Sequence, residues 1–122
     1  MKILISGGGI AGLTLATYLL KQGITATVVE KQKVFKDARG FGVAIWGNGR
    51  KILKDIDLDK DLEEKGYAFP YYSGLNNKGK ELCHLDMKKF GEKYDETLFV
   101  NREGFHEILE KGAKKADVRM GS

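Results

Sequence analysis

Three glycines set the pattern G-x-G-x-x-G near the start of this chain: Gly7, Gly9 and Gly12, in the run Gly7-Gly8-Gly9-Ile10-Ala11-Gly12. Spaced this way between a strand and a helix, they suit the binding of a diphosphate. The first lets the chain turn sharply. The second has no Cβ, so a pyrophosphate can approach the backbone, and the third lets the helix pack closely on the strands. Unpaired N–H groups at Gly9, Ile10 and Ala11 then face the anion, aided by the helix dipole. Glu30 lies 18 residues after Gly12. A carboxylate there can accept both ribose hydroxyls of an adenosine and would repel a 2′-phosphate. Loop and acid together predict a dinucleotide site.

Two arginines are further candidates. Arg102 falls in the first turn of a predicted helix, where a cation opposes the dipole by roughly 0.3–1 kcal/mol, and a nearby anion would offset that. Arg39 lies in a basic loop at 31–40, a place where arginines are common. The other reactive types carry less. Asp55, Asp57, Asp59 and Asp61 alternate, but neither starting point supplies the Gly and Glu that a calcium loop needs. They read as a solvated acidic segment. Cys83, His84 and His106 lack metal-ligand spacing, and Cys83 reads as a buried strand residue. Phe69, Tyr71 and Tyr72 read as sheet packing. Nothing in the chain reads as a catalytic acid, base or nucleophile, and no metal site is expected.

The elements that would position these groups follow from pattern. Residues 2–6 form an apolar run typical of a strand buried on both faces. Leu13, Ala16, Leu19 and Leu20 predict a helix over 10–22, with Gly23 as its C′ residue. The β-branched stretch 25–30 predicts a second strand. This strand–helix–strand unit implies a right-handed crossover with parallel strands. Further on, a short strand is expected at 41–46 and a helix at 48–56. Strands at 67–75 and 80–85 are joined by the turn Asn76-Asn77-Lys78-Gly79. A polar loop is expected at 88–97 and a short strand at 98–100. Next come a helix capped by Asn101 and a strand from Asp117.

Composition bounds the rest. The chain has 122 residues, 42% apolar and 31% charged, the profile of one folded domain. The net charge of +4 is spread among interleaved acids, so a nucleic-acid surface is not expected. A single cysteine excludes an intrachain disulfide and fits a reducing compartment. The start of the chain lacks a secretory pattern, and no apolar run is long enough to span a bilayer. A cytoplasmic protein with no membrane partner is expected.

Three blocks, taken in order, resemble single-component FAD-dependent monooxygenases, the flavoprotein aromatic hydroxylases and tetracycline-inactivating enzymes. The first runs from Ile5 to Leu13 and on through Val29, Glu30 and Lys31. The second is Arg39-Gly-Phe-Gly-Val-Ala-Ile-Trp-Gly-Asn-Gly-Arg50, with Leu53 after it. The third is Val100-Asn101-Arg102 with Phe105 and Leu109. The resemblance implies an α/β fold: a Rossmann-like FAD-binding βαβ unit with part of a substrate-side β-sheet. It implies Rossmann-like portions at 1–66 and 98–122, with a hairpin and loop at 67–97 belonging to the substrate side. It also implies that Gly7, Gly9, Ile10, Ala11 and Gly12 serve the pyrophosphate and Glu30 the ribose. Lys31 would lie beside the adenosine, Arg39 and Gly42 near the flavin end, and Arg102 at the FAD linker. In the intact family NADPH or NADH supplies electrons, and O₂ an oxygen atom that ends on a small organic substrate.

The family's later Asp-Gly and Gly-Asp motifs are not found here, so the region is expected to be incomplete and inactive alone. A second chain supplying the remainder is one arrangement. From the residues themselves, an NAD-binding dehydrogenase or reductase domain and a non-catalytic dinucleotide-binding remnant stay open. The NAD-binding alternative does not account for the Arg39–Arg50 block or for Arg102, while the lack of catalytic groups supports the remnant.

Overall fold

The structure is a computed structural model and describes residues 2–35 and 41–122. Its first unit follows the apolar pattern closely. Strand β1 (Ile3–Ser6) leads into helix α1 (Ile10–Lys21), which returns to strand β2 (Ala26–Glu30). β1 and β2 are parallel, with Ile5 opposite Val28. Helix α1 stops because Gly23 adopts φ +74°. That left-handed residue lets Gly23 N–H donate to Leu20 O and Ile24 N–H to Leu19 O, which satisfies the last carbonyls.

The remaining elements are β3 (Gly42–Ile45), α2 (Gly47–Asp55), α3 (Asp59–Lys65), β4 (Tyr67–Ala68), β5 (Tyr71–Leu75), β6 (Glu81–Asp86), α4 (Met87–Tyr94), β7 (Leu98–Asn101), α5 (Arg102–Gly112) and β8 (Asp117–Met120). Among the described residues they complete three sheets. The first is parallel, in the order β1-β2-β8. The second is antiparallel, in the order β3-β7-β4. The third is the β5-β6 hairpin, closed by a turn in which the Asn76 side chain accepts from Lys78 and Lys80 N–H and Gly79 has φ +76°. Residues 67–68 pair with β7, so strand pairing runs between the two regions distinguished in the sequence.

One apolar core joins the parallel sheet and the β3-β7-β4 sheet. Ile5 and Val28 from the parallel sheet meet Leu13 and Ala16 of α1, Phe105, Ile108 and Leu109 of α5, Leu62 of α3, and Leu98 and Val100 of β7. Leu13, Val28, Leu62, Val100, Ile108 and Leu109 are fully buried. Full burial of each such side chain contributes about 1.5–3 kcal/mol. Helix α5 therefore fixes the antiparallel sheet against the dinucleotide-type unit. Among the described residues, β1 has a strand neighbour on one flank only, and Leu4 on it is 69% exposed.

Five expectations need correction. Strand β1 is buried on one face only: Ile5 is buried, whereas Leu4 and Ser6 are exposed, because no described strand or helix covers that side. The stretch 67–75 is two strands in different sheets rather than one; Pro70, which has no N–H to donate to a ladder, stands between them. The polar stretch 88–97 is largely helix α4. Asp86 caps it by accepting from Lys88 and Lys89 N–H at 3.1 Å, and Trp46 packs edge-on against its Phe90 ring, which lies beside its Tyr94. Cys83 is exposed, because neither face of the hairpin is covered. The acidic segment is not wholly solvated: Asp59 begins α3 and is buried against Arg50.

Candidate functional site

The glycine loop emerges from β1 as the pattern requires. Gly7 sits at φ +100°, a conformation that favours glycine. Its N–H donates to Val29 O at 2.8 Å, tying the turn to β2. Gly12 is held against that turn so closely that a Cβ there would lie 2.0 Å from Gly7 O. Gly9 is different. It is exposed, and a Cβ there would meet no atom within 4 Å. It stands as the N-cap of α1 with no side-chain cap, and Leu13 N–H donates to its carbonyl. The N–H groups of Ile10, Ala11 and Gly12, in the first turn, have no partner within the helix.

Glu30 closes the other side. Its Oε2 accepts from Gly8 N–H at 2.8 Å and its Oε1 from Gln32 N–H at 2.9 Å. These bonds, Gln32 first and then Gly8, hold the carboxyl below the usual carboxylate range. The charges of Lys31 and His106 act in the same direction. Each oxygen keeps acceptor capacity for a further donor.

Arg102 reaches the same place from the far end of the sequence. β7 pairs with β3 so that Asn101 faces Gly42, and Arg102 N–H donates to Phe41 O at 3.0 Å. Asn101 then caps α5 by accepting from Gly104 N–H at 2.6 Å. Two helix N-termini, those of α1 and α5, converge on one crevice of about 240 Å³. Its lining includes Gly8, Gly9, Ile10, Glu30, Lys31 and Arg102.

The sequence candidates therefore separate. Gly9, Ile10, Glu30, Lys31 and Arg102 line the crevice. Gly7 and Gly12 shape the turn behind it. Ala11 borders an apolar groove with Thr14 and Ile52. Gly42 is absent from the crevice lining; a Cβ on it would collide with the Phe99 ring at 1.9 Å, which is a packing reason for glycine there. Arg39 lies outside the described residues.

His106 belongs to the crevice although its spacing suggested no role. Its Nε2 lies 3.1 Å from Gly8 O and its Nδ1 2.7 Å from Glu110 Oε1. Phe35 also lines the crevice, with its ring centroid 4.6 Å from that of His106. One signal was available: His106 stands four positions after Arg102, on the same face of its helix.

An exposed, Cβ-free approach to unpaired amides, with an ionised carboxylate across from them and a cation at the rim, fits a dinucleotide. A family model described as FAD dependent oxidoreductase (DAO) matches residues 2–114 of the chain. The chain belongs to the FAD-dependent oxidoreductase family.

Curated relatives of this family member include an FAD-dependent monooxygenase, adrH, of Penicillium rubens. It is 43% identical over 63 residues, covering 52% of this chain and 14% of the relative. A tryptophan 2-halogenase of Chondromyces crocatus is 36% identical over 120 residues, 98% of this chain and 22% of the relative. Among solved structures, Klebsiella pneumoniae HpxO complexed with FAD and uric acid matches with a TM-score of 0.80 at 21% identity. That match covers 99% of this chain and 31% of HpxO, and it is a likeness of fold. The chain thus spans well under half the length of each of these relatives. Among the described residues, no helix is long and apolar enough to cross a membrane.

Proposed function

We propose that residues 1–122 form the FAD-binding portion of a flavin-dependent monooxygenase, one that takes electrons from NADPH or NADH and an oxygen atom from O₂ to oxidise a small organic substrate. The observation that carries this reading is the convergence of Gly9, Glu30 and Arg102 on one crevice from three separate parts of the chain. The amides of Gly9, Ile10 and Ala11 meet the pyrophosphate, with Gly7 and Gly12 shaping the loop. Glu30 accepts the ribose hydroxyls through the lone pairs its two backbone bonds leave free. Lys31 lies beside the adenosine, Arg102 offsets charge at the linker, and Arg39 and Gly42 serve the flavin end. Bound FAD supplies the redox chemistry, and the residues of this chain bind and orient it.

No residue of the chain is assigned as acid, base or nucleophile, so turnover by these 122 residues alone is not expected. Strands that complete the parallel sheet would pair on the flank of β1 that no described strand occupies. The single cysteine supports a cytoplasmic setting. The halogenase likeness, which runs along nearly the whole chain, favours a second reading with the same FAD role and a halogenated product.

The test is titration of FAD into the purified chain, read by flavin fluorescence. Saturable quenching is expected, with NADH a poor competitor. A folded chain that leaves FAD fluorescence unchanged, or that binds NADH in preference, overturns the proposal.

A further inference from the structure

We infer that His106 is a positioning residue for the dinucleotide loop: by holding the Gly8 carbonyl inward, it turns the Gly9 N–H outward to the diphosphate. This rests on the dinucleotide reading above and adds a residue that the glycine pattern does not contain.

The peptide unit between Gly8 and Gly9 couples the two groups. The described backbone has no cis peptide bonds. In a planar trans peptide the C=O and the following N–H point in opposite directions. Whatever fixes the Gly8 carbonyl therefore fixes the Gly9 N–H. The Gly8 carbonyl lies 3.1 Å from His106 Nε2. A carbonyl can only accept, so Nε2 carries a proton and donates.

The donor is itself held. His106 is 8% exposed. Its Nδ1 is bonded to Glu110 one helical turn on, and the Phe35 ring lies against it. Rotation of the imidazole would break both ring bonds. On the other side of Gly8, its N–H donates to Glu30 Oε2. Both polar groups of Gly8 are thus bound within the protein, by partners 22 and 98 residues away. Glycine is free to rotate at these positions, and the two bonds remove that freedom. Gly9 is left exposed, with open space where its Cβ would be.

A merely structural role would be satisfying a buried carbonyl. The two roles separate on probes that differ by the diphosphate. ADP and adenosine are titrated into the 122-residue chain and its variants by calorimetry, and the Gly9 amide resonance is followed in the ligand-free proteins. For H106L, which cannot donate, ADP affinity is expected to fall about tenfold, the equivalent of one hydrogen bond of ~1.4 kcal/mol. Adenosine affinity should stay within about twofold by the same scale, and the Gly9 amide should shift. H106Q, which retains an N–H donor, should recover most of the ADP affinity.

A folded H106L that binds ADP like wild type overturns the proposal while leaving the dinucleotide reading intact. So does an equal loss for ADP and adenosine. A wild-type chain that binds no ADP removes both. Should H106L not fold, E110Q carries the test: weaker hold on Nδ1 is expected to lower ADP affinity alone, and unchanged ADP affinity overturns the role.

Discussion

Arg50 and Asp59 face each other as a fork inside the protein, Nε to Oδ1 at 2.9 Å and Nη2 to Oδ2 at 2.7 Å. Both residues are buried, and the guanidinium also reaches Glu63 and the carbonyl of Glu96. Arg50 thereby ties α2 to α3 and to the segment entering β7, the strand that delivers Arg102. Carboxylate contact raises the Arg50 pKa further above its ordinary value, so it stays charged at every accessible pH.

Removing Asp59 leaves the buried Arg50 guanidinium with Glu63 and the Glu96 carbonyl as its remaining partners. D59A is expected to lower unfolding stability by roughly 1–3 kcal/mol, the loss of hydrogen bonds to a charged group, read by urea denaturation. FAD affinity of the protein still folded should be nearly unchanged, since Asp59 lies outside the crevice. A loss below about 1 kcal/mol, the range of exposed pairs, would show that the pair is open to solvent.

Gly12 and Gly9 should fail differently when given a methyl group. In G12A the new Cβ would sit 2.0 Å from a backbone oxygen, so helix and turn must separate. Overpacking of this kind costs about 1–3 kcal/mol, and both thermal stability and FAD affinity should fall. In G9A the Cβ meets nothing within the protein, and under the proposed function it projects toward the diphosphate. Its melting temperature should stay near that of wild type while FAD affinity falls about tenfold or more, from the loss of one charge-assisted bond. Parallel effects in the two variants would contradict the separate roles.

Glu30 gives a pH signature. Its folded pKa is lowered from 4.5, chiefly by the Gln32 and Gly8 amides. The stabilisation is therefore full above the ordinary carboxylate range and is lost as pH falls through the lowered folded value. In a stability profile, the wild-type advantage over E30Q should be constant near neutrality and shrink below pH 4.5. An advantage that persists unchanged into strong acid would mean that the carboxylate does not hold the two amides.

Arg102 can be tested without disturbing the fold. Its backbone N–H makes the bond to Phe41 O, and that bond survives substitution. Its exposed position at a helix start is mildly unfavourable, so R102A should be neutral or stabilising by about 0.3–1 kcal/mol. FAD affinity should fall by about threefold to tenfold, the loss expected of one partly screened charge contact. Urea denaturation checks the first part, and flavin fluorescence titration at two salt concentrations checks the second, because the loss should narrow as salt rises.

Much of this was legible in one dimension. Runs of like character with a fixed period specify their own local structure, so β1, α1 and β2 follow from residues 2–30 read in order. Gly7 and Gly23 mark turns because only backbone sterics decide them, and Asn101 marks a helix start because capping is local. Glu30 could be paired with the glycine loop by chain distance alone, since a crossover unit has a set length.

The tertiary structure decided what depends on partners remote in sequence. A buried aspartate and a solvated one look alike until a guanidinium is placed beside one of them, as Arg50 is beside Asp59. Helix α4 is too polar to announce itself without Trp46 packed against it. His106 reads as an isolated histidine until α5 brings it, 98 residues on, to the Gly8 carbonyl. Short-range sterics and solvation are written residue by residue along the chain. Burial and long-range hydrogen bonding exist only once the segments have met.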